Sequence, residues 1–361
     1  MKITKVVSTI VNVPRNVKLT TSYGSKDSAT TVIVELETDE GLNGIGQTAV
    51  DAPFYGEPAA SIKTNIDVYL TPAIIGCSPL DIEHVTDVMN QAVPGHLSAK
   101  AGIDLALWDL KGKALGVPVY QLLGGKLRDG VSLMSMVHRA DPQTMAEEAN
   151  ERMSTPYSVL KMKVGIDVNE DVARFRAVSE ALDGRAVIQV DGNGGYSLGD
   201  AIRSLSQMDR IGGLGMIEQP VKRLDEMAAL GKRFGAPIMA DESIYSPDDA
   251  IEVVKRDAAQ VALLKITKHG GILNVLKIAH IAEASGIDLS VAIYYDVIAA
   301  AAAHIAAALP AVTWPSPPTG LDETILTESI EPTGLLMKVP ERPGFGVEID
   351  RDKIRHYSAD L

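Results

Sequence analysis

Three acidic residues, Asp191, Glu218 and Asp241, each stand at the end of a short apolar run. The runs read AVIQVD, GMIE and PIMAD, and they lie about 25 residues apart, roughly the length of one strand plus one helix in an alternating α/β fold. When parallel strands close into a barrel, their carboxyl ends meet at one mouth, so the three carboxylates are expected to lie together. Carboxylate oxygens are the ligands that Mg²⁺ or Mn²⁺ prefers.

Two further apolar runs carry lysines, one before and one after the acidic residues. The run VLKMK ends with Lys161 and Lys163, and the run VALLK ends at Lys265. Side chains alternate along a strand, so Lys161 and Lys163 point to the same face. A neutral lysine can act as a general base, and we expect a second ammonium, a nearby metal ion and desolvation to lower its pKa. The pattern predicts a hard-metal site with two candidate proton carriers.

The composition is typical of a soluble globular enzyme. The 361 residues include 47 acidic and 34 basic side chains, for a formal net charge of −13. This charge argues against nucleic acid and anionic membranes as partners. The one cysteine, Cys77, cannot form an intramolecular disulfide, and the Ala-rich stretch 298–309 is too short to span a bilayer and is expected to be a buried helix. A cytoplasmic location is the expectation.

Three regions are predicted along the chain. Residues 1–125 have β-rich runs at Lys2–Val13 and Thr30–Thr38, then helical periodicity from Pro58 to Leu115, which predicts a compact α+β domain. Residues 126–318 alternate strand-like and helical patterns. Residues 319–361 return to β-like runs and turns, and they are expected to fold back onto the first domain.

The middle region contains eight candidate strands, the number that closes a (β/α)₈ barrel. They are Val131–Val137, Val159–Val164, Ala186–Val190, Gly215–Ile217, Pro237–Ala240, Val261–Ile266, Asp288–Ala292 and Ala311–Trp314. An amphipathic helix is expected after each of the first seven. The predicted fold class is α/β, a TIM-type barrel with an N-terminal α+β domain that the C-terminal tail completes.

Several motifs together resemble one known family. The stretch AKAGIDLALWDLKGKALGVPVYQLLGG resembles the helix signature of the mandelate racemase/muconate lactonizing branch of the enolase superfamily. KMK, VDGNGGYS, IEQP, MADES and LLKITKHGG resemble its barrel motifs, in the same order. The resemblance implies that the first domain caps the barrel. It also implies Mg²⁺-assisted abstraction of a proton α to a carboxylate, through an enediolate; the use of a Lys or His base with Mg²⁺ is the general pattern of that superfamily.

The same resemblance assigns roles to the lysines. It implies that Lys163 is the base on one face of the substrate, while Lys161 helps to hold the substrate carboxylate and tunes its neighbour. Lys265 would face the opposite side. A dianionic enediolate needs strong charge compensation, which a divalent ion at the acidic residues would supply.

Other residues are candidates for supporting roles. Asn193 and Glu242 follow metal-ligand candidates in the chain and are expected to support them, or to make purely structural hydrogen bonds. Asp296 follows the seventh strand and is expected either to accept a hydrogen bond from a lysine or to cap a helix. The remaining polar and aromatic candidates, with core or loop positions as their alternatives, are His138, His269, Tyr294, Tyr295 and Trp314.

Lysines on the second and sixth barrel strands resemble the muconate lactonizing subgroup. Dipeptide epimerases of that subgroup carry an Asp-x-Asp pair after the seventh strand, where this chain has Tyr294-Tyr295-Asp296, so a dipeptide substrate is disfavoured. Two loops, Asn16–Ser28 and Val50–Glu57 with Phe54 and Tyr55, are expected to close over the mouth and contact the substrate.

The leading hypothesis is a racemase or epimerase of an N-acyl or N-methyl amino acid, because two lysines on opposite faces permit proton transfer from one face to the other. A muconate-type cycloisomerase, a dehydratase acting by β-elimination and a non-catalytic binding relative are the alternatives. The expected partner is a small-molecule carboxylate, and a homo-oligomer with an even number of subunits is expected.

Overall fold

The N-terminal region contains a three-stranded antiparallel sheet. The computed structural model describes residues 1–21, 24–319, 321 and 323–359, with the side chains of 16–26 outside the description. Strands β1 (Ile3–Thr21), β2 (Gly24–Thr38) and β3 (Asn43–Ala49) pair in that order. The sequence predicted parts of β1 and β2. It did not predict β3, whose apolar pattern is interrupted by glycines.

Helices cover this sheet, and the longest of them joins it to the rest of the molecule. The helical segments are α1 (Ala52–Tyr55), α2 (Ala59–Thr64), a π-helical segment (Asn65–Leu70), α3 (Thr71–Ile74), α4 (Ile82–Ala92), α5 (Leu97–Leu115) and α6 (Val119–Leu122). Helix α5 lies directly on β3. A Cβ on Gly44 or Gly46 would lie 2.1 or 2.0 Å from a carbonyl oxygen of α5, so only glycine allows this close approach.

The barrel sheet has seven parallel strands in the order β11-β10-β9-β8-β7-β6-β5. Their bounds are β5 (Ser135–Val137), β6 (Val159–Lys163), β7 (Val187–Asp191), β8 (Leu214–Glu218), β9 (Ile238–Ala240), β10 (Val261–Leu264) and β11 (Asp288–Val291). Seven of the eight predicted strands are thus present, although Val131–Val137 is split between β5 and a separate strand, β4 (Gly130–Ser132).

The eighth predicted strand, Ala311–Trp314, is wrong as a continuous strand. Single parallel bridges replace it: Val312 pairs with Leu289 of β11, and Ser316 pairs with Leu133 next to β5. These bridges link the two edge strands and close the barrel. Pro310, Pro315 and Pro317 lack the N–H groups that a regular ladder would need, which explains the sparse pairing.

Helices alternate with the barrel strands as predicted. They are α7 (Pro142–Arg152), α8 (Val168–Leu182), α9 (Leu198–Ile211), α10 (Leu224–Gly231), α11 (Pro247–Lys255), α12 (Ile266–His269), α13 (Ile272–Ala284) and α14 (Asp296–Ala308). Helix α14 contains the Ala-rich stretch and is buried along its whole length, because it packs against β3, β4, α6 and β11.

No helix in the described part of the chain is long and apolar enough to cross a membrane.

The strand register sets the height of the charged side chains. Lys163 pairs with Asp191, and Asp191 pairs with Glu218, so these three residues lie at one level. Below them, the barrel interior is filled by Met216, Met239, Val261 and Leu263, which form a separate apolar cluster. The charged residues therefore rest on a packed floor at the mouth.

The C-terminal tail contacts the N-terminal region, as the sequence analysis expected. Helix α15 (Arg351–Tyr357) packs near β1, while strand β12 (Leu336–Lys338) pairs with β4 at the start of the barrel region. The N–H of Phe345 donates to Asp109 Oδ1 of α5 at 2.9 Å, and the N–H of Ala359 donates to the carbonyl of Ile10. The exact boundaries at 125 and 318 stay predictions.

The buried His304 of α14 generates a testable prediction about stability. Tyr120 N–H donates to Nδ1 of His304, whose Nε2 lies 3.2 Å from the carbonyl of Phe345, and burial lowers the pKa of His304 to about 4. An unfolded histidine titrates near 6.5, so between about pH 6.5 and 4 only the unfolded chain binds this proton. Stability should therefore fall as the pH drops through that window, by at most about 3 kcal/mol from this residue.

Urea denaturation of the wild type and of His304→Gln, which can keep both hydrogen bonds, measures this effect. The two free energies of unfolding should converge as the pH falls from 6.5 to 4. Parallel pH profiles would contradict the assignment.

Candidate active site

The predicted acidic residues and lysines meet at the mouth of the barrel. Lys161, Lys163, Asp191 and Glu218 are on β6, β7 and β8, while Asp241 and Lys265 directly follow β9 and β10. The three carboxylates are fully buried. A cavity of about 180 Å³ opens among the three lysines, Asp191 and Asn193.

Lys161 lies between two of the carboxylates. Its Nζ is 2.5 Å from Glu218 Oε2 and 2.9 Å from Asp191 Oδ2. Lys163 reaches the same Asp191 oxygen at 2.5 Å. Both lysines point into the mouth, as the two-residue strand period predicted.

Asn193 connects the two sides of the cluster. It accepts a hydrogen bond from Lys163 Nζ at 2.8 Å, and its Nδ2 donates to Glu242 Oε1 at 2.9 Å. Its own N–H donates to Asp191 Oδ1 at 3.0 Å. Asn193 and Glu242 thus contact the residues that they were predicted to support; that this contact matters for activity stays a prediction.

Asp241 binds a second pair of lysines. Its Oδ2 is 2.5 Å from Lys265 Nζ, and its Oδ1 is 2.9 Å from Lys268 Nζ. Lys268 is almost completely buried and also donates to the carbonyl of Asp241. Lys268 was not predicted from the sequence, because α12, which places it three residues after Lys265, is a single turn without a periodic pattern.

Gln189 and Trp314 form a further contact that sequence reasoning missed. Gln189 Nε2 donates to Glu218 Oε2 at 2.5 Å, and Trp314 Nε1 donates to Gln189 Oε1 at 2.6 Å. Trp314 also packs against the apolar floor. The position of Gln189, two residues before Asp191 on the same strand, could have placed it on the inner face.

The carboxylates reverse the expected pKa shift of two lysines. Burial would lower the pKa of Lys161, but the charges of Asp191 and Glu218 outweigh it and raise the pKa above its ordinary value. Burial is likewise outweighed at Lys265, where Asp241 raises the pKa. Burial alone would raise the pKa of the Asp241 carboxyl, but the positive charges of Lys265 and Lys268 lower it to about 2. Lys161 and Lys265 are therefore ammonium ions while the carboxylates are their partners.

The donor chemistry fits a hard divalent cation, although the present side-chain arrangement pairs the donors with lysines. All three acidic residues offer only oxygen, and Glu218 Oε1 is buried without a hydrogen-bond partner among the described residues. Burial and the charge of Asp191 raise the pKa of Glu218, so this carboxyl gains from a nearby positive charge. Within the described residues, no three acidic, histidine or cysteine side chains surround one metal-sized point.

The segment Val50–Glu57 lies over the mouth. Phe54 lines the cavity, and Lys265 Nζ is 3.9 Å from the centre of its ring. Tyr245 OH donates to the carbonyl of Phe54 at 2.7 Å, and the hydroxyls of Tyr55 and Tyr294 share a short hydrogen bond. These contacts hold the segment closed; its role in reading the substrate stays a prediction.

The segment Asn16–Ser28 is not a loop in its described part. Its residues before 22 and after 23 belong to the paired strands β1 and β2, and Leu19 pairs with Lys26. Ser28 lines the cavity, while the side chains of 16–26 lie outside the described residues. The run of β-branched and apolar residues explains why strand pairing continues past the predicted end.

Among the described residues Asp296 makes neither of the two contacts expected of it, a hydrogen bond to a lysine or a helix cap. Its Oδ1 accepts hydrogen bonds from Thr324 Oγ1 at 2.6 Å and from the N–H of Ile325, and its Oδ2 lies 3.4 Å from Gln47 Nε2. It is the first residue of α14 but does not cap that helix, because its side chain binds β3 and the C-terminal segment instead.

The two histidines are not part of the lysine–carboxylate cluster. His138 Nδ1 pairs with Glu148 of α7 at 2.7 Å. His269 is buried, with Nδ1 3.1 Å from the carbonyl of Tyr245, and burial lowers its pKa well below the ordinary value. The structural alternatives given for both residues are favoured by these contacts.

Comparison with known proteins identifies the family. Residues 3–124 match the model described as "Mandelate racemase / muconate lactonizing enzyme, N-terminal domain", and residues 144–353 match the model described as "Enolase C-terminal domain-like". The chain belongs to the mandelate racemase/muconate lactonizing enzyme family of the enolase superfamily. It is therefore an isomerase of that superfamily, and its chemistry is abstraction of a proton α to a carboxylate.

Relatives with different reactions are similar to the chain over its whole length. The N-succinyl-L-Arg/Lys racemase of Bacillus cereus is 34% identical, over 98% of this chain and 97% of the relative. Its crystal structure has a TM-score of 0.95, with 33% identity over 100% and 99% of the two chains. The crystal structure of the muconate lactonizing enzyme of Pseudomonas fluorescens, complexed with muconolactone, also has a TM-score of 0.95, with 31% identity over 99% of each chain.

A third similar structure contains the metal. The dipeptide epimerase of Enterococcus faecalis, complexed with Mg and the dipeptide L-Leu-L-Tyr, has a TM-score of 0.91 and 32% identity over 96% of this chain and 100% of that chain. The family membership predicted from the motifs is thus confirmed, while relatives at similar identity differ in substrate.

The Tyr55–Tyr294 contact predicts how the segment Val50–Glu57, here named the roof segment, opens. Removing one hydroxyl in Tyr294→Phe leaves the partly buried Tyr55 hydroxyl without its partner, at a cost of up to about 1–3 kcal/mol. Backbone amides of 51–55 should then exchange hydrogen faster, while those of β7 and β8 should not change. The double variant Tyr55→Phe/Tyr294→Phe should recover part of this protection, and unchanged exchange at 51–55 in the single variant would contradict the contact.

Proposed function

We propose that the chain is a Mg²⁺-dependent racemase or epimerase of an N-acylated or N-methylated amino acid. The observation that carries the proposal is the position of Lys163 and Lys265, which both line the 180 Å³ cavity. In the sheet order, β7, β8 and β9 separate β6 from β10, so the two lysines are four positions apart in an eight-position barrel. They therefore approach a ligand in the cavity from opposite sides.

Each lysine can then serve one face of the substrate. Lys163 takes the α-proton of one enantiomer, and Lys265 delivers a proton to the opposite face; the reverse reaction exchanges their roles. Lys161, whose ammonium is fixed between two carboxylates, is positioned to bind the substrate carboxylate. Phe54 lies over the cavity and would limit the access of water to the enediolate.

Asp191, Glu218 and Asp241 would hold the Mg²⁺ ion. When bound, the ion supplies positive charge that stabilises the enediolate. The three carboxylates would give up lysine partners to hold it, and a lysine without its carboxylate partner loses what raises its pKa. Mn²⁺ is the expected substitute.

An amino-acid derivative is favoured over a dipeptide. The segment Tyr294-Tyr295-Asp296 offers no free carboxylate for a peptide amino group, because Asp296 is engaged by Thr324 and Ile325. The similarity to the N-succinyl-L-Arg/Lys racemase supports the same choice. A muconate-type cycloisomerase is the second candidate, supported by the equally high structural similarity to the muconate lactonizing enzyme.

Exchange in D₂O with single enantiomers of N-succinyl, N-acetyl and N-methyl amino acids tests the two lysines. Lys163→Ala and Lys265→Ala should each abolish racemisation, yet each should retain α-proton exchange from one enantiomer, a different one in each variant. The rate of exchange from the other enantiomer should fall by roughly 10²–10⁴-fold. The exposed Lys255 on α11 gives the control Lys255→Ala, with unchanged rates in both directions.

Loss of exchange from both enantiomers in both variants would overturn the two-base assignment. Wild-type protein that exchanges no amino-acid derivative but consumes cis,cis-muconate, followed by its ultraviolet absorbance, would favour the cycloisomerase. Loss of water from the product, detected by mass, would indicate a dehydratase.

Metal binding is tested by calorimetry with MgCl₂. Asp191→Asn, Glu218→Gln and Asp241→Asn should each weaken Mg²⁺ binding strongly and abolish turnover, because each removes a charged oxygen ligand. Asp288→Asn, at the opposite end of the barrel on β11, is the matched control and should bind Mg²⁺ like the wild type. If one of the first three variants binds Mg²⁺ normally, the residue substituted in it is not a metal ligand.

A further inference from the structure

The turn that carries Lys265 lies outside the strand ladder. Lys163 is the last residue of β6 and pairs with Asp191, so the barrel sheet itself fixes its position. Strand β10 ends one residue before Lys265, at Leu264. The chain continues through α12, Gly270 and Gly271 into α13, and residues 265–271 are here named the Lys265 turn. Contacts from outside the sheet must fix this turn.

A buried carboxylate of α5 holds one end of the Lys265 turn. Asp104 Oδ1 accepts a hydrogen bond from the N–H of Ile272, the first residue of α13, at 2.5 Å. Asp104 is 1% exposed. The contact is so close that a Cβ on Gly271 would lie 2.2 Å from Asp104 Cγ, and Gly271 has φ +117, so this position requires glycine.

The strand next to the roof segment holds the middle of the same turn. Thr267 Oγ1 accepts hydrogen bonds from the N–H of Ala49, at 3.2 Å, and from Thr48 Oγ1, at 3.4 Å. Both donors are at the end of β3, directly before the segment that places Phe54 beside Lys265. The N-terminal domain is therefore hydrogen-bonded both to the middle of the turn, at Thr267, and to the residue that follows it, Ile272.

We infer that Asp104 is a positioning residue for Lys265: through the N-terminus of α13, helix α5 fixes where one of the two bases stands. The inference rests on the proposed two-lysine reaction. It means that the two faces of the substrate are served by bases with different anchors, Lys163 by the barrel sheet and Lys265 by the N-terminal domain. Asp104 itself does not line the cavity. Its loss should thus affect the rate at one face and leave substrate binding unchanged.

The experiment measures loss of the α-proton in D₂O separately for the two enantiomers. Lys265→Ala first identifies the enantiomer that depends on Lys265. A displacement of about 1 Å at a reacting group can cost about 100-fold in rate, so Asp104→Ala should lower kcat for that enantiomer at least about 10-fold. The rate for the other enantiomer and both KM values should change by less than about threefold. Asp104→Asn, which keeps an oxygen for the Ile272 N–H, should restore the lost rate.

Asp109 supplies the matched control, since it is on the same helix and equally buried. It accepts hydrogen bonds from the N–H groups of Ile45 and Phe345, at 3.0 and 2.9 Å, and does not contact the Lys265 turn. Asp109→Ala should lower the free energy of unfolding, and any change in the rate of α-proton loss should be the same for both enantiomers. If Asp104→Ala does not fold, Thr267→Val loosens the same turn at its other anchor and should give the same one-sided loss.

The possible failures are distinct. Equal losses for both enantiomers in Asp104→Ala, or no loss in a folded Asp104→Ala, overturns the positioning role while the two-lysine reaction stands. Wild-type protein that exchanges neither enantiomer of any amino-acid derivative overturns the proposed function, and this inference with it.

Discussion

Pairing of buried charge is the constraint on which the site depends. Three fully buried carboxylates stand beside lysines of which Lys161 and Lys268 are almost completely buried, and a buried charge without a partner is strongly destabilising. The structure solves this with two groups of ion pairs, one around Lys161 and one around Asp241. Any cation that the carboxylates bind must replace ammonium groups. Metal affinity and the charge state of the lysines are consequently coupled in one network.

The rest of the fold keeps this network in place. The apolar floor of Met216, Met239, Val261 and Leu263 prevents the lysines from withdrawing into the barrel. Above the network, the roof segment is held by tyrosine hydroxyls from the barrel side. Helix α5 contacts both the sheet and the turn after β10, so the capping domain is part of the active site and does more than cover it.

Local patterns in the sequence predicted the charged centre, and long-range contacts decided what they did not predict. The acidic residues and lysines could be predicted because each stands at the end of a short apolar run, and because side chains alternate between the two faces of a strand every two residues. The partners of Asp296 are Thr324 and the distant Gln47, which no local pattern indicates. Ala311–Trp314 has the composition of a strand, but the prolines on either side of it leave only a single β-bridge in place of a continuous ladder. Lys268 was missed because a single helical turn, α12, has no clear periodicity.

A crystal structure with Mg²⁺ and a substrate analogue that mimics the planar enediolate would test the central claim most directly. The ion is expected on Asp191, Glu218 and Asp241. The Nζ atoms of Lys163 and Lys265 are expected on opposite sides of the α-carbon, each about 3–3.5 Å from it. A ligand with both lysines on one side, or with Lys265 out of reach of the α-carbon, would contradict proton transfer between two faces.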